Sequence, residues 1–268
     1  MQGFIKEQCG MELTEDRAYL VESRLYKILA DYGFTSFDQL YTALRKSDNA
    51  LKERIIDAIT TNETMWFRDK IPWKVMEDIL LPVYIEEMRA GKRFTVRIWS
   101  AACSTGQEPY SVAICIDNFL KTKGITDIGL NRFEILASDI SHAVLEIAKL
   151  GKYDGVSILR GLDPDLKKKY FYNQGGIWIL KEELKNMVRY RRFNILDSFN
   201  GLGIFDLVFC RHVLFYFSSE LRKDIIRKII GVLEPKGTLF LGASEVLMDY
   251  RDSFTKERYE NGFFYQKR

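Results

Sequence analysis

The spacing of apolar residues divides the chain into a helical first part and a second part in which strands and helices alternate. In the first 60 residues, apolar positions recur every three or four residues, which is the period of one helix face. The first stripe consists of Ala18, Val21, Leu25, Ile28 and Leu29. Gly33 ends that helix, Ser36 opens a second, and residues 51–59 form a third. The first part is therefore predicted to be all-helical.

From Phe94 onward, short runs of β-branched and aromatic residues alternate with amphipathic segments. The predicted strands are 95–101, 133–139, 188–193, 205–210, 238–241 and 263–266. The predicted helices are 108–121, 141–150, 165–171 and 219–233. Such alternation is typical of an α/β domain, in which helices cover both faces of a parallel sheet.

Two segments depart from this alternation. Residues 62–93 form a joint that begins with a dense mixture of polar and aromatic side chains and continues as one or two helices interrupted near Pro82. Residues 175–192 contain two strand-like runs around a charged turn, which predicts a small antiparallel insertion. The predicted domains are therefore 1–61, which is helical, and 62–268, which includes the joint and the insertion.

A ligand site is predicted where the strand 95–101 meets the following helix. The strand ends in small residues up to Gly106, and the helix restarts at Glu108 and Pro109. Proline fits a first helical position because its φ angle already suits the helix. Small residues let a ligand approach the backbone, and the free N–H groups of a helix N-terminus attract anionic groups.

Asp139 follows the second predicted strand directly. At that position of a doubly wound sheet a carboxylate can bind both hydroxyls of a ribose, although a helix-capping role is an equal alternative. Asp139 lies 33 residues after Gly106, and the turn lacks G-x-G-x-x-G. These features disfavour a nicotinamide dinucleotide and leave an adenosine ligand open.

Three further residues are candidates near this site. Arg68 and Glu108 form either a structural ion pair or the two contacts of a ligand that carries both a carboxylate and an amine. Tyr216 is either a core aromatic residue or a side chain beside the reacting group. The two histidines, His142 and His212, are too few and too isolated to predict a metal site or a Ser/His/Asp system.

Composition adds the cellular setting. The chain has 268 residues, 47% of them hydrophobic, and its net charge of +3 is too small to indicate nucleic-acid binding. Four cysteines without a C-x-x-C pair favour a reducing compartment. The N-terminus has no apolar signal core, and no uncharged apolar run approaches the ~18 residues of a membrane span. We expect a cytoplasmic monomer.

Two basic surfaces are candidates for docking an acidic partner. Arg17, Arg24 and Lys27 lie beside the apolar stripe of the first helix, and the alternative is a solvated helix flank. Residues 1–60 hold eight Lys/Arg and ten Asp/Glu, so a basic surface there must be local. Arg189 and Arg191 share one face of a predicted strand, where charge can also protect a sheet edge.

Four motifs together resemble the CheR family of chemotaxis receptor methyltransferases. They are TTNETMWFR (60–68), WSAACSTGQEPYS (99–111), CRHVLFYF (210–217) and GASE (242–245). The resemblance implies S-adenosylmethionine as methyl donor, S-adenosylhomocysteine as product and receptor glutamates as acceptors. It also implies a Rossmann-like methyltransferase domain, an N-terminal all-helical domain and a small antiparallel β-subdomain. Chemoreceptor cytoplasmic helices would then be the partner, docked by the basic helix stripe and by the β-subdomain.

The resemblance also assigns residues. It places Asn62, Thr64, Arg68 and Glu108 near the amino-acid end of the donor, and Asp139 at the ribose. It places Asn194 and Ile195 on the adenine side, Cys210 and Arg211 at the end of the fourth strand, and Tyr216 beside the methyl group. His212 is a departure, because the family usually has asparagine there.

The sequence is also compatible with two other functions. A nucleic-acid methyltransferase could use the same sheet, although it would be expected to carry a strongly basic face. A signalling module could retain the fold and bind the donor without transferring a methyl group.

Overall fold

The structure, a computed structural model, describes residues 2–11, 15–46, 49–247 and 250–268, without the side chains of residues 2, 15–18 and 20. The first part is helical, as predicted. Its helices are α1 (Gln2–Cys9), α2 (Glu15–Tyr32), α3 (Phe37–Arg45) and α4 (Asn49–Ile59). Ser36 caps α3, since its hydroxyl accepts the N–H of Gln39. The buried faces of the helices share one core that includes Ile5, Leu25 and Leu40.

Arg24 has a structural role that the predicted docking stripe did not anticipate. Its guanidinium donates to the carbonyls of Ala58, Ile59 and Thr60 at 3.4, 3.1 and 3.1 Å, at the end of α4. The last carbonyls of a helix have no partner within the helix, so a nearby cation satisfies them. Arg24 therefore has a role within the fold, and docking of a partner by this residue stays a prediction. Lys27 is exposed, and the side chain of Arg17 lies outside the described residues.

Replacing Arg24 with alanine is expected to lower the free energy of unfolding by about 1–2 kcal/mol, because half-buried carbonyls lose a charged donor. Urea unfolding measures this difference. Lys27→Ala on the same helix is the control and should stay within about 0.5 kcal/mol of the parent protein. Equal stabilities of the two variants would contradict the capping role.

The joint continues into one nearly unbroken helical run. It contains α5 (Ile71–Val75), a π-helical turn (Met76–Leu80) and α6 (Leu81–Arg89). The predicted interruption near Pro82 takes the form of this π turn. Because proline has no N–H to donate, the backbone adjusts in the turn that precedes it.

The second part contains a seven-stranded sheet in the order β6-β2-β1-β7-β8-β10-β9 and a small sheet in the order β3-β5-β4. Along the chain the strands are β1 (Val96–Ala101), β2 (Phe133–Asp139), β3 (Lys152–Tyr153), β4 (Phe171–Gln174), β5 (Ile177–Leu180), β6 (Val188–Arg192), β7 (Phe205–Cys210), β8 (Leu233–Phe240), β9 (Phe254–Tyr259) and β10 (Gly262–Lys267). The remaining helices are α7 (Gln107–Thr122), α8 (His142–Leu150), α9 (Gly155–Leu159), α10 (Pro164–Tyr170), α11 (Glu182–Lys185) and α12 (Ser219–Val232).

The predicted parallel sheet is confirmed for five neighbouring strands, β6 to β8 in the sheet order. β10 then pairs antiparallel with β8, and β9 pairs antiparallel with β10. β9 escaped sequence analysis because its run, FTKERY, is largely polar and exposed, as an edge strand allows.

The predicted insertion at 175–192 has the wrong boundaries. The small antiparallel sheet is built from β3, β4 and β5, and Gly175 and Gly176 form the turn between β4 and β5. β6 instead pairs parallel with β2 and forms an edge of the large sheet. Its inner residue Tyr190 packs against Tyr110 of α7, which holds β6 on the main core.

Arg189 and Arg191 are exposed on this edge strand. That position fits the charge-protection interpretation, and docking at these residues stays a prediction. In the described part of the chain, no helix has both the length and the apolar character required to cross a bilayer.

Candidate active site

A cavity lies at the carboxyl ends of the parallel strands, between the large sheet and the helical domain. Its wall is formed by the end of β1 and the turn after it (101–104), the end of β2 with the next residue (138–140), and the segments after β6 (193–195) and β7 (211–213). The helical domain adds Cys9, Met11, Thr60 and Thr61, and the joint adds residues 62–65 and 68. Glu108, Tyr216 and Phe217 complete the wall. β1 lies between β2 and β7, which are reached by connections in opposite directions, and doubly wound sheets bind ligands at such a point.

The turn after β1 carries left-handed backbone at residues other than glycine. The φ angles are +58° at Ala102 and +51° at Ser104. The N–H of Ser104 donates to Asp139 Oδ2 at 2.8 Å, and its hydroxyl donates to the carbonyl of Asn62 at 2.8 Å. Such backbone persists only where neighbouring groups hold it, and it is common at ligand sites.

Gly106 serves helix packing, whereas the sequence suggested that it lets a ligand approach the backbone. Its φ is +91°, and a Cβ there would lie 2.9 Å from both Ala148 Cβ and the Tyr190 hydroxyl. Gly106 therefore allows close packing of α7 against α8 and β6, and it does not line the cavity. α7 begins at Gln107, one residue earlier than predicted.

Asp139 lies at the cavity wall, as predicted. Its Oδ1 accepts the N–H of Ser141 at 3.0 Å, and its Oδ2 accepts the N–H of Ser104. Burial raises the pKa of this carboxyl. The cap of α8 is Ser141, so Asp139 is not the capping residue. Each carboxylate oxygen has a second acceptor position, which leaves room for two hydroxyl donors.

Glu108 pairs with Arg211, and the structural ion pair considered between Glu108 and Arg68 is therefore corrected. Arg211 Nη1 lies 2.7 Å from Glu108 Oε2, and Arg211 Nη2 lies 2.8 Å from Asp69 Oδ2. The hydroxyl of Ser100 donates to Glu108 Oε1 at 2.7 Å. The Arg211 side chain is 1% exposed, so its charge is neutralised inside the protein by two carboxylates.

The guanidinium of Arg68 lies at the cavity with few hydrogen-bond partners of its own. Among the described residues it has one hydrogen bond, to the carbonyl of Glu63 at 3.1 Å, and it lines the cavity. A guanidinium has five N–H donors, arranged in a plane that matches a carboxylate.

The other predicted residues divide into two groups. Asn62, Thr64, Asn194, Ile195 and Tyr216 line the cavity. Asn194 also holds the helical domain, since its amide donates to the carbonyl of Gln8 at 2.8 Å. Cys210 is fully buried in a core cluster and does not line the cavity, because strand residues alternate between the faces of the sheet.

Sequence reasoning gave Glu245 no role, although it lies in one of the four motifs. Its buried carboxylate accepts the N–H groups of His212, Val213, Leu214 and Gly242 at 2.8–3.1 Å. These bonds fix the turn that carries Tyr216. The four donors come together only in the folded chain, so no local pattern could have revealed them.

Comparison with known proteins agrees with this geometry. The family model described as CheR methyltransferase, all-alpha domain, matches residues 1–60, and the one described as CheR methyltransferase, SAM binding domain, matches residues 62–263. Chemotaxis protein methyltransferase 1 of Pseudomonas aeruginosa is 43% identical over 98% of this chain and 94% of its own length. Chemotaxis protein methyltransferase Cher2 of Pseudomonas putida is 41% identical, and chemotaxis protein methyltransferase of Listeria innocua is 31% identical, over the same shares. The chain therefore belongs to the CheR methyltransferase family, whose methyl donor is S-adenosylmethionine.

Proposed function

We propose that the protein transfers a methyl group from S-adenosylmethionine to glutamate side chains on the cytoplasmic helices of a chemoreceptor, forming methyl esters. The observation that carries the proposal is the cavity at the switch point of the sheet, whose wall includes Asp139, Arg68 and Tyr216. The names of the relatives support the assignment to chemotaxis.

The residues of the cavity fit the donor in three regions. The carboxylate of Asp139 suits the ribose hydroxyls, and the guanidinium of Arg68 suits the carboxylate of the amino-acid end, with Asn62 and Thr64 beside it. The apolar side chain of Ile195 suits the face of the adenine ring, and the polar groups of Asn194 suit the nitrogen atoms at its edge. Glu108 and Arg211 form the floor beneath the amino-acid end.

The chain does not need a general base for this reaction. A glutamate with a pKa near ~4.3 is already ionised at neutral pH. The bound donor supplies an electrophilic methyl group on a positively charged sulfur. The protein must hold the acceptor oxygen in line with that methyl group and exclude water, which favours the dispersal of charge. Tyr216 positions the acceptor, and Cys9 and Met11 cover the cavity from the helical domain.

Replacing Arg68 with alanine is expected to raise the dissociation constant of S-adenosylhomocysteine by about 10- to 100-fold, because one charge-assisted carboxylate contact is lost. Titration calorimetry measures this. Arg89→Ala removes an arginine that pairs with Asp127 on the surface and should bind the ligand like the parent protein. An unchanged affinity of Arg68→Ala for S-adenosylhomocysteine would contradict the proposed contact between Arg68 and the donor.

Lys27 is an exposed residue of the proposed docking stripe of α2. Lys27→Glu is expected to slow association with an acidic receptor helix by about two- to tenfold at low salt, and less at 0.5 M salt, because steering by surface charge is screened. Stopped-flow mixing with a receptor fragment measures the rate. A salt-independent effect, or none, would contradict docking at this surface.

The function is tested with radiolabelled donor and receptor cytoplasmic fragments, followed by mild alkali. A glutamate methyl ester releases volatile methanol, whereas methylated nitrogen retains its label. Label in nucleic acid would favour a nucleic-acid methyltransferase, and no label with intact donor binding would indicate a signalling module.

A further inference from the structure

Three residues around the joint hold left-handed backbone although none is glycine. The φ angles are +47° at Phe67, +57° at Asp69 and +57° at His212. The first two flank Arg68 in the joint, and His212 follows β7 in the adjacent segment. Left-handed backbone at such residues requires support from neighbouring groups.

The carboxylate of Asp69 supplies that support on the joint side. Its Oδ2 lies 2.8 Å from His212 Nε2 and 2.8 Å from Arg211 Nη2, so two consecutive residues form hydrogen bonds to the same oxygen. The carbonyl of Arg68 accepts from Arg211 Nη2, and from the Trp73 indole at 3.2 Å. The backbone from which Arg68 projects is thus held from the β7 side.

His212 is itself fixed at two further points. Its N–H donates to Glu245 Oε2 at 2.8 Å. A Cβ at Gly242 would lie 2.8 Å from His212 Nδ1, so the ring rests closely on this glycine. The hydrogen bond from His212 and the nearby Arg211 hold the pKa of Asp69 well below its usual range. Asp69 is therefore an anion, and His212 Nε2 carries the proton that it donates.

We propose that His212 is a positioning residue for the methyl donor: its Nε2 fixes Asp69 and thereby directs the neighbouring Arg68 into the cavity. The inference rests on the proposed contact between Arg68 and the donor carboxylate. An Arg68 that is less well directed would weaken donor binding more than it would slow transfer at saturating donor.

Three substitutions separate this role from a backbone role. His212→Ala removes the ring. His212→Asn eases the left-handed backbone, which asparagine tolerates well, but its amide does not extend to the position of Nε2. His212→Gln has a longer side chain, whose amide N–H can reach Asp69. Donor KM and kcat are measured with a receptor fragment, and the S-adenosylhomocysteine dissociation constant by calorimetry.

We expect His212→Ala and His212→Asn to raise the donor KM and the dissociation constant about 5- to 30-fold, with kcat changed less than about threefold. We expect His212→Gln to recover most of the affinity. Wild-type affinity in His212→Asn would overturn the proposal, because relief of backbone strain would then be all that matters. Failure of His212→Gln to improve on alanine, in protein that urea unfolding shows to be equally stable, would also overturn it.

The route through Arg68 is tested in the double variant. Because both changes remove the same contact, adding His212→Ala to Arg68→Ala should weaken binding less than twofold further. A full additional 5- to 30-fold loss would overturn the route. Unchanged affinity in Arg68→Ala alone would contradict both the proposed contact between Arg68 and the donor and the positioning role of His212. Neither result affects the methyl-ester assay, which tests the proposed function separately.

Discussion

Replacing Arg211 with methionine is expected to lower the free energy of unfolding by about 3–5 kcal/mol. Arg211 is buried and pairs with both Glu108 and Asp69, and its removal leaves two carboxylates without their shared cation. Loss of one partner from a buried ion pair has about this cost, because the remaining charge is poorly solvated. Methionine fills most of the space of the arginine side chain. The loss of stability therefore measures the missing charge more than a change in packing.

Urea unfolding of Arg211→Met provides the test, with Arg227→Met as the control. Arg227 pairs with Asp224 on α12, but its side chain is 74% exposed, so its replacement should change stability by less than about 0.5 kcal/mol. If Arg211→Met lowered the free energy of unfolding by less than about 1 kcal/mol, the ion pairs of Arg211 with Glu108 and Asp69 would not be strongly stabilising.

Asp69 predicts how this difference depends on pH, because the hydrogen bond from His212 and the charge of Arg211 both act on its pKa. The pKa of Asp69 is lowered in the folded protein, so Asp69 stabilises the fold above its unfolded pKa of ~3.9. That stability is lost as the pH falls through the lower folded pKa. The difference between wild type and Arg211→Met should therefore be largest near neutral pH and shrink in acid.

Replacing Asp139 with asparagine is expected to raise the dissociation constant of S-adenosylhomocysteine by about 10- to 100-fold, since hydrogen bonds to a charged acceptor contribute about 1.5–3 kcal/mol each. Asparagine has nearly the same shape but one acceptor oxygen, and Ser104 and Ser141 both require an acceptor there. Calorimetry measures the affinity. Asp154→Asn is the matched control, because asparagine caps α9 about as well as aspartate.

The proposed contact between Asp139 and the ribose also predicts that donor binding depends on pH. Burial raises its pKa, so the carboxyl takes up a proton at a higher pH than the ~3.9 of an ordinary aspartate. Below that pKa a carboxylate acceptor is lost, and donor affinity should fall. Asp139→Asn should lack this decline. Parallel pH profiles of the two proteins would contradict the assignment of Asp139.

Much of the fold could be predicted from local pattern. The sequence predicts the strands 133–139 and 205–210 with their observed bounds, because buried parallel strands are mostly apolar runs. The insertion was misplaced because strand-like runs look alike in sequence whether they pair in a small sheet or at the edge of a large one. Pairing partners depend on contacts far apart in the chain.

The sequence alone determined the family, the helical first part followed by alternating strands and helices, and nine of the residues that line the cavity, because motifs and hydrophobic periods involve neighbouring positions in the chain. The tertiary structure decided which charges remain available. Arg24 donates to the end of α4, Arg211 pairs with two carboxylates and His212 donates to Asp69, whereas most N–H donors of Arg68 have no partner among the described residues. A charged side chain takes its role from the partners that folding brings within about 3 Å, and these partners lie far away in the sequence.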